Sequence, residues 1–542
     1  MSASLQALLI DDDQNNADAF KPIWERILRK VWEPVTINIQ TSFDDETYIL
    51  EHRPHIVIFD NVSIENGREV ENKGVQRISE LKKAYPDILF ILFTSRTFSI
   101  DSLGYRLPNP DIIATKTPLP NDKYEEELAA QISRLVTRLP ISQISFDKVS
   151  DLEEISCTSQ EARSLIEQCV RNFQILRRED LRDFSTVNQI TLSKLSGGYS
   201  GSAVFKCSLS GFLGGRNSEF VIKIGSKEAT RIESQNYIRF VRLQIPHHIR
   251  VDLVGIGETA NTGASMYGFA FGSSRITSSL TEHIEKSDTE VLRRFRDTIL
   301  SKEAVGWYNF SGDTVVVEDY FNSGEEYDPV KDGRRLASIK EACSLHLPSD
   351  FYHFSDEFFE LDGLQTLQPR KIMQELRGQE LPRFICHGDL NSNNIITFSD
   401  GGYFSLIDFE YAGLDLAYKD FVSLEVSIRA HLPVDANEDL FEEFFECEQF
   451  LYDAFLSNDF ELPTSLSARW EEYFSEVFAH RKQMCEILRS SKVEVKRDHY
   501  YLLLIFHLFK VAAVPAFSKN EFTRLFFSYF SSCFLVERDS DA

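Results

Sequence analysis

The chain has 542 residues and a formal net charge of −26, from 84 acidic and 58 basic residues. This length predicts two to four domains, and the acidic excess argues against general nucleic-acid binding, which needs a basic face. The eight cysteines show neither a CxxC pair nor a His-flanked ligand spacing. They therefore predict reduced thiols in a cytoplasmic protein rather than disulfides or zinc ligands.

Four apolar segments near the N-terminus predict strands of a parallel sheet. They are LQALLIDDD (5–13), HIVIFD (55–60), ILFILFTS (88–95) and DIIATKTP (111–118). Charged segments such as VQRISELKKAY (75–85) separate them and predict helices. Strands that alternate with helices indicate a doubly wound α/β sheet, in which ligands bind at the carboxyl ends of the strands.

Five polar residues stand at the carboxyl ends of these four strands. Asp11 and Asp12 follow the first strand, Asp60 ends the second, and Thr94 and Lys116 belong to the ends of the third and fourth. Three close carboxylates cannot all stay ionised without a counter-charge, and Mg²⁺ is the natural one. The alternative, if each acidic residue is considered by itself, is that it caps the N-terminus of the helix that follows.

Together these residues resemble the active site of a response-regulator receiver domain. The resemblance implies a flavodoxin-like fold in which Asp11 and Asp12 bind Mg²⁺ and Asp60 is phosphorylated. It also implies that Thr94 and Lys116 contact the phosphoryl group. The phosphodonor would come from elsewhere, either a sensor histidine kinase or a small phosphodonor.

The N-terminal segment departs from the receiver pattern in three places. Ile113 stands where receivers usually have a Tyr or Phe that rotates inward on phosphorylation, and the usual Lys-Pro is Lys116-Thr117-Pro118. The loop after Asp60, NVSIENGREVENKG, is longer and more polar than usual. The usual aromatic switch is therefore excluded. An alternative is that the domain docks a partner, or another copy of itself, without being phosphorylated.

A connector follows at roughly residues 140–185. Within it TSQE predicts a capping box, with Thr158 as N-cap and Glu161 at the third helical position. The segment after it has apolar residues at helical spacing, namely Leu165, Cys169, Val170 and Phe173. This helix either transmits the state of the first domain to the next one or only packs against it.

A Gly-rich segment comes next, LSGGYSGSAVFKCSL (195–209), and predicts a strand, a turn and a second strand. Backbone N–H groups at Gly197, Gly198 and Gly201 would be able to approach phosphates. An ordinary hairpin turn is the alternative from these residues alone.

Lys223 is the only cation in the apolar segment FVIKIG (220–225). A lysine in a buried strand needs an anionic partner or a phosphate. The predicted helix that follows offers Glu233 as the preferred partner and Glu228 as the competing one. Such a Lys–Glu pair positions the α- and β-phosphates of ATP in kinases. The alternative is an edge-strand lysine whose amine reaches solvent.

The segment HGDLNSNNIITFSDGGYFSLIDFE (387–410) predicts a tight β-hairpin, because Asp-Gly and Gly-Gly supply the positive φ angles of its turn. The hairpin brings Asn394 and Asp408 to its open end, and Asp389 lies in the loop that leads in. Asn and Asp oxygens suit Mg²⁺, and a separate Asp can accept the proton of a hydroxyl acceptor. The alternative is a surface hairpin with incidental carboxylates.

This segment resembles the aminoglycoside phosphotransferase and choline kinase group, which has the protein-kinase-like fold. The resemblance implies a bilobal α+β domain that uses ATP and Mg²⁺. It implies that Asp389 is the catalytic base, that Asn394 and Asp408 bind metal, and that His387 and Asp420 brace the loop.

The Gly-rich segment also resembles the SGGxS loop of this group. By position the nucleotide would be bound by Gly197, Gly198, Ser200 and Gly201, with Lys223 held by Glu233. The resemblance covers roughly residues 185–535, and the stretches 273–380 and 430–535 carry no assigned motif.

The predicted organisation has four parts: a receiver-like domain (1–140), a helical connector (141–184), a kinase N-lobe (185–272) and a largely helical C-lobe (273–542). The most apolar run, 500–517, is interrupted by His507, Lys510 and Pro515 and predicts a buried helix rather than a membrane span. No signal peptide is recognised.

These features predict an ATP- and Mg²⁺-dependent phosphotransferase that acts on a hydroxyl acceptor and is modulated by its N-terminal domain in signalling or defence. The acceptor cannot be read from the residues. One alternative is a regulatory or adaptor protein that binds nucleotide as a signal and docks a partner. Nucleotidyl transfer is the third hypothesis.

Overall fold

The computed structural model describes residues 4–540 except 62, 66–67, 71–72, 96–109, 117–120, 139, 142, 149, 154, 178–188, 195–201, 213–215, 269–275, 301–306, 309–312, 324–328, 356–357, 399–402, 456–467 and 516. The chain forms two compact units. The first unit is Met1–Ser234 with Asp252–Ser273, and the second is Gln235–Val251 with Ser274–Ala542. The first unit contains the predicted receiver-like domain, the connector and most of the predicted N-lobe.

The first unit opens with a five-stranded, wholly parallel sheet. The strands, in chain order, are β1 (Leu5–Ile10), β2 (Val35–Gln40), β3 (Ile56–Asp60), a separate hairpin of β4 (Ser63–Glu65) and β5 (Arg68–Val70), β6 (Leu89–Thr94) and β7 (Ile112–Thr115). The helices are α1 (Gln14–Arg29), α2 (Thr47–His52), α3 (Lys73–Ala84) and α4 (Asp122–Leu135). The sheet order β2-β1-β3-β6-β7 is compatible with a flavodoxin-like fold.

All four strands predicted near the N-terminus are confirmed as parts of this sheet, whereas β2 was not predicted. It lies at the sheet edge, and only Ile37 of its six residues is buried. The polar residues of VTINIQ therefore mask its strand character. The long segment after Asp60 holds the small antiparallel hairpin β4–β5. Alternate residues of β1 enter the two apolar layers on opposite faces of the sheet, with Leu9 in one and Leu8 in the other.

A second, six-stranded sheet follows in the order β12-β13-β11-β10-β9-β8. Its region consists of β8 (Gln143–Phe146), α5 (Ser150–Glu153), α6 (Ser159–Arg177), β9 (Gln189–Lys194), β10 (Ala203–Phe212), β11 (Arg216–Ser226), α7 (Lys227–Asn236), β12 (Asp252–Glu258) and β13 (Thr262–Gly268). The sheet is antiparallel except that β8 pairs with β9 in parallel. The connector was predicted to be helical, but β8 is a strand because its apolar residues complete the sheet edge.

Helix α6 begins at the predicted capping box. The Thr158 backbone N–H donates to Glu161 Oε2 at 3.2 Å, and Glu161 N–H donates to Thr158 Oγ1 at 3.1 Å. Its predicted apolar residues are all buried in the core shared by the two sheets. The helix lies so close to β12 that a Cβ at Gly255 would be 2.2 Å from the Cys169 carbonyl oxygen. Only glycine fits at this position.

The opposite face of α6 is joined to the parallel sheet by a buried ionic network. Ser164 donates to Asp87, and Glu167 Oε2 lies 3.3 Å from His55 Nε2 and 3.7 Å from Arg138 Nη1. Asp87 and His55 precede β6 and β3, so the helix is attached at the amino ends of these strands. The carboxyl ends, where the predicted site residues stand, belong to the opposite edge of the sheet.

The second unit is largely helical and contains three small sheets, ordered β14-β20-β21, β15-β19-β22 and β16-β17-β18. Its helices are α8 (Leu280–Ile284), α9 (Thr289–Ile299), α10 (Val317–Ser323), α11 (Pro329–His346), α12 (Pro369–Glu375), α13 (Lys419–His431), α14 (Phe441–Asp453), α15 (Ala468–Ser490), α16 (Arg497–Ala512) and α17 (Lys519–Ser540). Its strands are β14 (Ile276–Ser279), β15 (Thr314–Val316), β16 (Tyr352–Phe354), β17 (Phe358–Leu361), β18 (Leu364–Leu367), β19 (Glu380–Cys386), β20 (Ile395–Phe398), β21 (Tyr403–Leu406) and β22 (Gly413–Leu416).

The predicted buried helix in the most apolar run is confirmed as α16, which is buried along most of its length. Among the described residues, no helix combines the length and apolar character that crossing a membrane requires. The eight cysteines are all buried and free.

Candidate functional site

The predicted hairpin in the second unit is formed by β20 and β21. Ile395 pairs with Leu406, and Asn394 O accepts the N–H of Ile407 at 3.0 Å. This register confirms that Asn394 and Asp408 lie at the same open end. The predicted turn, residues 399–402, lies outside the described residues.

The carboxylate of Asp389 is held through one of its two oxygens. Its Oδ2 accepts a hydrogen bond from Asn391 Nδ2 at 3.0 Å and another from Asn394 Nδ2 at 3.1 Å. Among the residues that the structure describes, none donates to Oδ1, and the side chain is half-buried. Asp389 thus has one fixed oxygen and one that can accept a proton.

Asn391 is a site residue that the sequence reasoning missed. Besides contacting Asp389, its Oδ1 accepts the N–H of Asn393 at 3.0 Å and so caps the 3₁₀ helix Ser392–Asn394. The available signal was an Asn two residues before another Asn, since Asn commonly starts such turns. That signal predicts the cap but not the contact with Asp389.

Asp420 on α13 holds the backbone of the loop that contains Asp389. Its Oδ2 accepts the N–H of His387 at 2.7 Å, and its Oδ1 accepts the N–H of Gly388 at 2.9 Å. Complete burial raises the pKa of Asp420, against the opposing effect of His387. Gly388 has φ 84°, and a Cβ there would lie 2.1 Å from the carbonyl oxygen of Tyr411. The loop conformation therefore requires glycine at this position.

Aromatic packing joins this loop to the segment that contains Asp408. His387 Nε2 lies 2.8 Å from Ile407 O, and the His387 ring lies 4.9 Å from that of Phe409. On its other side Phe409 packs edge-on against Tyr237 at 5.6 Å. Asp408 itself has φ 64°, an uncommon conformation for a residue other than glycine. These contacts fix the backbone on both sides of that carboxylate.

The donor atoms at the open end of the hairpin fit a divalent cation. Both bonds of the Asn394 amide nitrogen go to Asp389, to its carbonyl oxygen at 2.8 Å and to Oδ2 at 3.1 Å. The side-chain oxygen of Asn394, Oδ1, is left as its acceptor atom, and Asp408 follows Ile407, whose backbone N–H donates to Asn394 O. One amide and one carboxylate oxygen suit Mg²⁺, which takes its remaining ligands from water and phosphate.

The first unit contains the predicted Lys–Glu pair. Lys223 Nζ on β11 lies 3.4 Å from Glu233 Oε2 on α7, and both side chains are buried. Tyr267 on β13 donates to the other Glu233 oxygen, a contact that the sequence reasoning missed because it joins distant segments. The competing candidate, Glu228, is exposed. Predicted nucleotide ligands Gly197, Gly198, Ser200 and Gly201 lie outside the described residues.

At the edge of the parallel sheet the predicted acidic residues meet. Ligand oxygens of Asp11, Asp12 and Asp60 all lie within 4.8 Å of one another. Lys116 Nζ lies 3.0 Å from Asp60 Oδ1 and 3.4 Å from Asp11 Oδ2. Thr94 is buried at the end of β6, and its carbonyl accepts the N–H of Lys116 at 2.8 Å.

Within the described part of this edge, three carboxylates lie close to one lysine. Burial raises the pKa of Asp11, and the attraction of Lys116 opposes that effect. A divalent cation bound to the three carboxylates would remove the excess negative charge. The donor set, all hard oxygen, fits Mg²⁺.

Comparison with known proteins gives one family match. Residues 326–508 match the family described as "Ternary complex associated domain 9", a range that includes the hairpin and the loop before it. No curated protein matches the chain.

Among solved structures, the chain is similar to an aminoglycoside phosphotransferase from Streptomyces rimosus, with 15% identity, a TM-score of 0.29, and coverage of 62% of this chain and 96% of that one. It is similar to a Plasmodium vivax ethanolamine kinase at 11% identity and a TM-score of 0.32, covering 73% and 97% of the two chains. A glucosamine kinase bound to glucosamine, ADP and phosphate matches at 12% identity and a TM-score of 0.32, covering 65% and 83%.

Proposed function

We propose that this chain is an ATP- and Mg²⁺-dependent phosphotransferase that moves the γ-phosphoryl group to a hydroxyl acceptor. The observation that carries the proposal is the state of Asp389, whose Oδ2 is fixed by two amide donors while Oδ1 is left to accept a proton. A base held in this way supports the kinase form of phosphoryl transfer. A protein that only binds nucleotide does not need it.

Other residues take the remaining roles in this proposal. Asn394 and Asp408 hold Mg²⁺, which neutralises charge on the phosphates when it is bound. Lys223, kept in place by Glu233, contacts the phosphates. The protein-kinase-like fold and its division into two lobes are part of the same proposal. The cytoplasm, which supplies ATP and keeps buried thiols reduced, is the proposed location.

We further propose that the N-terminal sheet is a receiver-like domain that modulates the transfer. Asp11 and Asp12 would hold Mg²⁺, Asp60 would take a phosphoryl group from a sensor histidine kinase or a small phosphodonor, and Lys116 would contact that group. The meeting of three carboxylates with Lys116 supports this role. An effect of Asp60 on the second sheet would reach α6 along the strands, through its contacts at their amino ends, or through α4. The carbonyls of Ser133 on α4 and of Val136, the residue that ends it, accept hydrogen bonds from Arg171 on α6.

Asp408→Asn is expected to abolish the effect of Mg²⁺ on nucleotide binding, because it removes the charged ligand of the metal. Both residues tolerate the positive φ at this position, so the backbone stays unchanged. Displacement of a fluorescent ATP analogue, with Mg²⁺ or with EDTA, measures the effect. We expect Mg²⁺ to tighten nucleotide binding to the wild type. In the presence of Mg²⁺ the variant should bind the nucleotide at least about 10-fold more weakly than the wild type does.

Asp362→Asn is the matched control, since Asp362 also has positive φ, at 50°, but is exposed. It should behave as wild type. ADP formation is then followed with hydroxyl acceptors of the kinds named in the similar structures, an aminoglycoside, ethanolamine and glucosamine. Nucleotide binding without Mg²⁺-dependent turnover on any hydroxyl acceptor favours the adaptor hypothesis. Equal Mg²⁺ dependence in wild type and Asp408→Asn contradicts the assigned metal site.

Beryllofluoride, a phosphoryl mimic, is expected to bind the N-terminal site only with Mg²⁺ and only when Asp60 is present. Fluorine NMR should show a bound signal for wild type and none for Asp60→Asn. Asp18→Asn, on the exposed face of α1, should keep the signal. A change in ATP turnover on binding supports modulation. Unchanged turnover rejects modulation, and a bound signal in Asp60→Asn rejects the site.

A further inference from the structure

The second unit contains a cavity of about 620 Å³ that none of the proposed roles uses. Its volume lies in the range of small-molecule sites, about 300–1,000 Å³. The floor is apolar and includes the buried side chains of Phe359, Met373 and Phe509. The polar lining includes Glu318 on α10, Asp332 on α11, Arg370 on α12, and Arg377, which follows α12.

This cavity is separate from the loop that contains Asp389. Arg377 on the cavity rim stands just before β19, and the loop begins at His387, just after it. The seven residues of β19 span roughly 20 Å at the usual rise of an extended strand. The cavity is therefore at the opposite end of β19 from the proposed catalytic base.

The carboxylates of the cavity are already engaged by arginines. Asp332 Oδ2 lies 2.9 Å from Arg370 Nε and 2.7 Å from Arg370 Nη2, and its Oδ1 accepts from Arg335 at 3.1 Å. Glu318 accepts a hydrogen bond from Arg377 Nε at 3.1 Å and another from the backbone N–H of Gly378 at 2.8 Å. In the cavity lining the guanidinium groups of Arg370 and Arg377 bind the carboxylates of Asp332 and Glu318, so both of these carboxylates already have an arginine partner.

Arg377 is the arginine with free hydrogen-bonding capacity. Its side chain is 77% exposed, and in the described part of the chain only its Nε has a partner. Its two Nη groups form the fork that binds a carboxylate through parallel hydrogen bonds. They stand at the rim of a cavity whose floor is aromatic and thioether, and methionine adapts readily to ligands of different shape.

We propose that this cavity binds a small amphipathic anion, whose apolar body lies on the floor and whose acidic group binds Arg377. The apolar floor supplies most of the contact, and the two Nη groups of Arg377 at the rim select an anionic group. This site is independent of the proposed phosphotransfer.

The test uses two fluorescent probes that share an aromatic body, 8-anilinonaphthalene-1-sulfonate, which is anionic, and N-phenyl-1-naphthylamine, which is uncharged. Gly333→Trp should block the cavity, because a Cβ at Gly333 meets nothing within 4 Å and the residue lines the cavity. Gly333→Ala changes the same position without filling the space. We expect saturable binding of both probes to wild type and Gly333→Ala, and at least a tenfold loss for Gly333→Trp.

Arg377→Gln tests the charge without disturbing the fold, since the side chain is exposed. We expect it to weaken binding of the anionic probe by about 10- to 30-fold, the lower part of the range for a charge-assisted hydrogen bond, and to leave binding of the uncharged probe unchanged. Equal binding of the anionic probe to wild type and Gly333→Trp overturns the site. An equal effect of Arg377→Gln on both probes overturns the assignment of an anion.

Discussion

Replacing Asp389 by asparagine is expected to lower phosphoryl transfer by about 10²- to 10⁴-fold, the usual contribution of a general base, with nucleotide affinity unchanged. The reason lies in the two amide donors on Oδ2, Asn391 and Asn394. An asparagine at this position must present its own oxygen to these donors, because two N–H groups cannot bond to each other. Its NH₂ group then takes the place of Oδ1 and faces the acceptor with a donor instead of a base.

The measurement is the rate of ADP formation with Mg²⁺ at saturating ATP, together with the dissociation constant of the nucleotide. Asp362→Asn, the same chemical change at an exposed position, should leave both quantities unaltered. A full rate for Asp389→Asn would refute the assigned base. A loss of affinity as large as the loss of rate would show that the residue acts in binding rather than in proton transfer.

The features that could be predicted from the sequence are those that follow from local turn signals and from the order of the strands along the chain. The hairpin of β20 and β21 follows from two short apolar strands with a Gly-rich turn, and its register alone brings Asn394 beside Asp408. In the parallel sheet, Asp60 meets Asp11 because the carboxyl ends of parallel strands share one edge. Both arguments need only the order of the strands.

The features that could not be predicted depend on contacts between distant segments. Nothing near Glu233 indicates that Tyr267 would donate to it. The spacing of apolar residues in α6 predicts one buried face, yet its polar face is also buried, because Glu167 lies against His55, which precedes β3, and Arg138, which follows α4. From the sequence alone, a polar residue on a predicted helix is expected to face solvent, because its distant partners are not known.

Helix α13 also buries a polar side chain, Glu425, through contacts with distant residues. Removing the charge of this side chain is expected to cause a large loss of stability. Glu425 is fully buried, and its carboxylate lies 2.8 Å from Arg429 Nε and 2.8 Å from Arg481 Nε, with Tyr500 as a further donor. Although burial by itself raises the pKa of Glu425, the nearby Arg481 and Arg429 lower it well below the usual 4.5. The carboxylate is therefore charged in the folded protein.

Glu425→Gln is expected to lower the free energy of unfolding by about 3–5 kcal/mol at pH 7, the cost of leaving buried charges without their partner. Urea titration followed by the helical circular dichroism signal measures it. Glu290→Gln is the matched control, since Glu290 also bonds two arginines, Arg293 and Arg294, but on the surface. There solvent screens the pairs, so no measurable change is expected.

The dependence on pH gives a second, independent check of the same carboxylate. A folded pKa below the unfolded value of 4.5 means that the stabilisation is complete above about pH 4.5 and declines as the pH falls further, because the unfolded chain takes up the proton first. Glutamine at position 425 cannot titrate. The difference in unfolding free energy between wild type and Glu425→Gln should therefore be largest at neutral pH and shrink steadily below pH 4.5. A difference that stays constant between pH 7 and pH 3 would show that the variant acts through packing and not through charge.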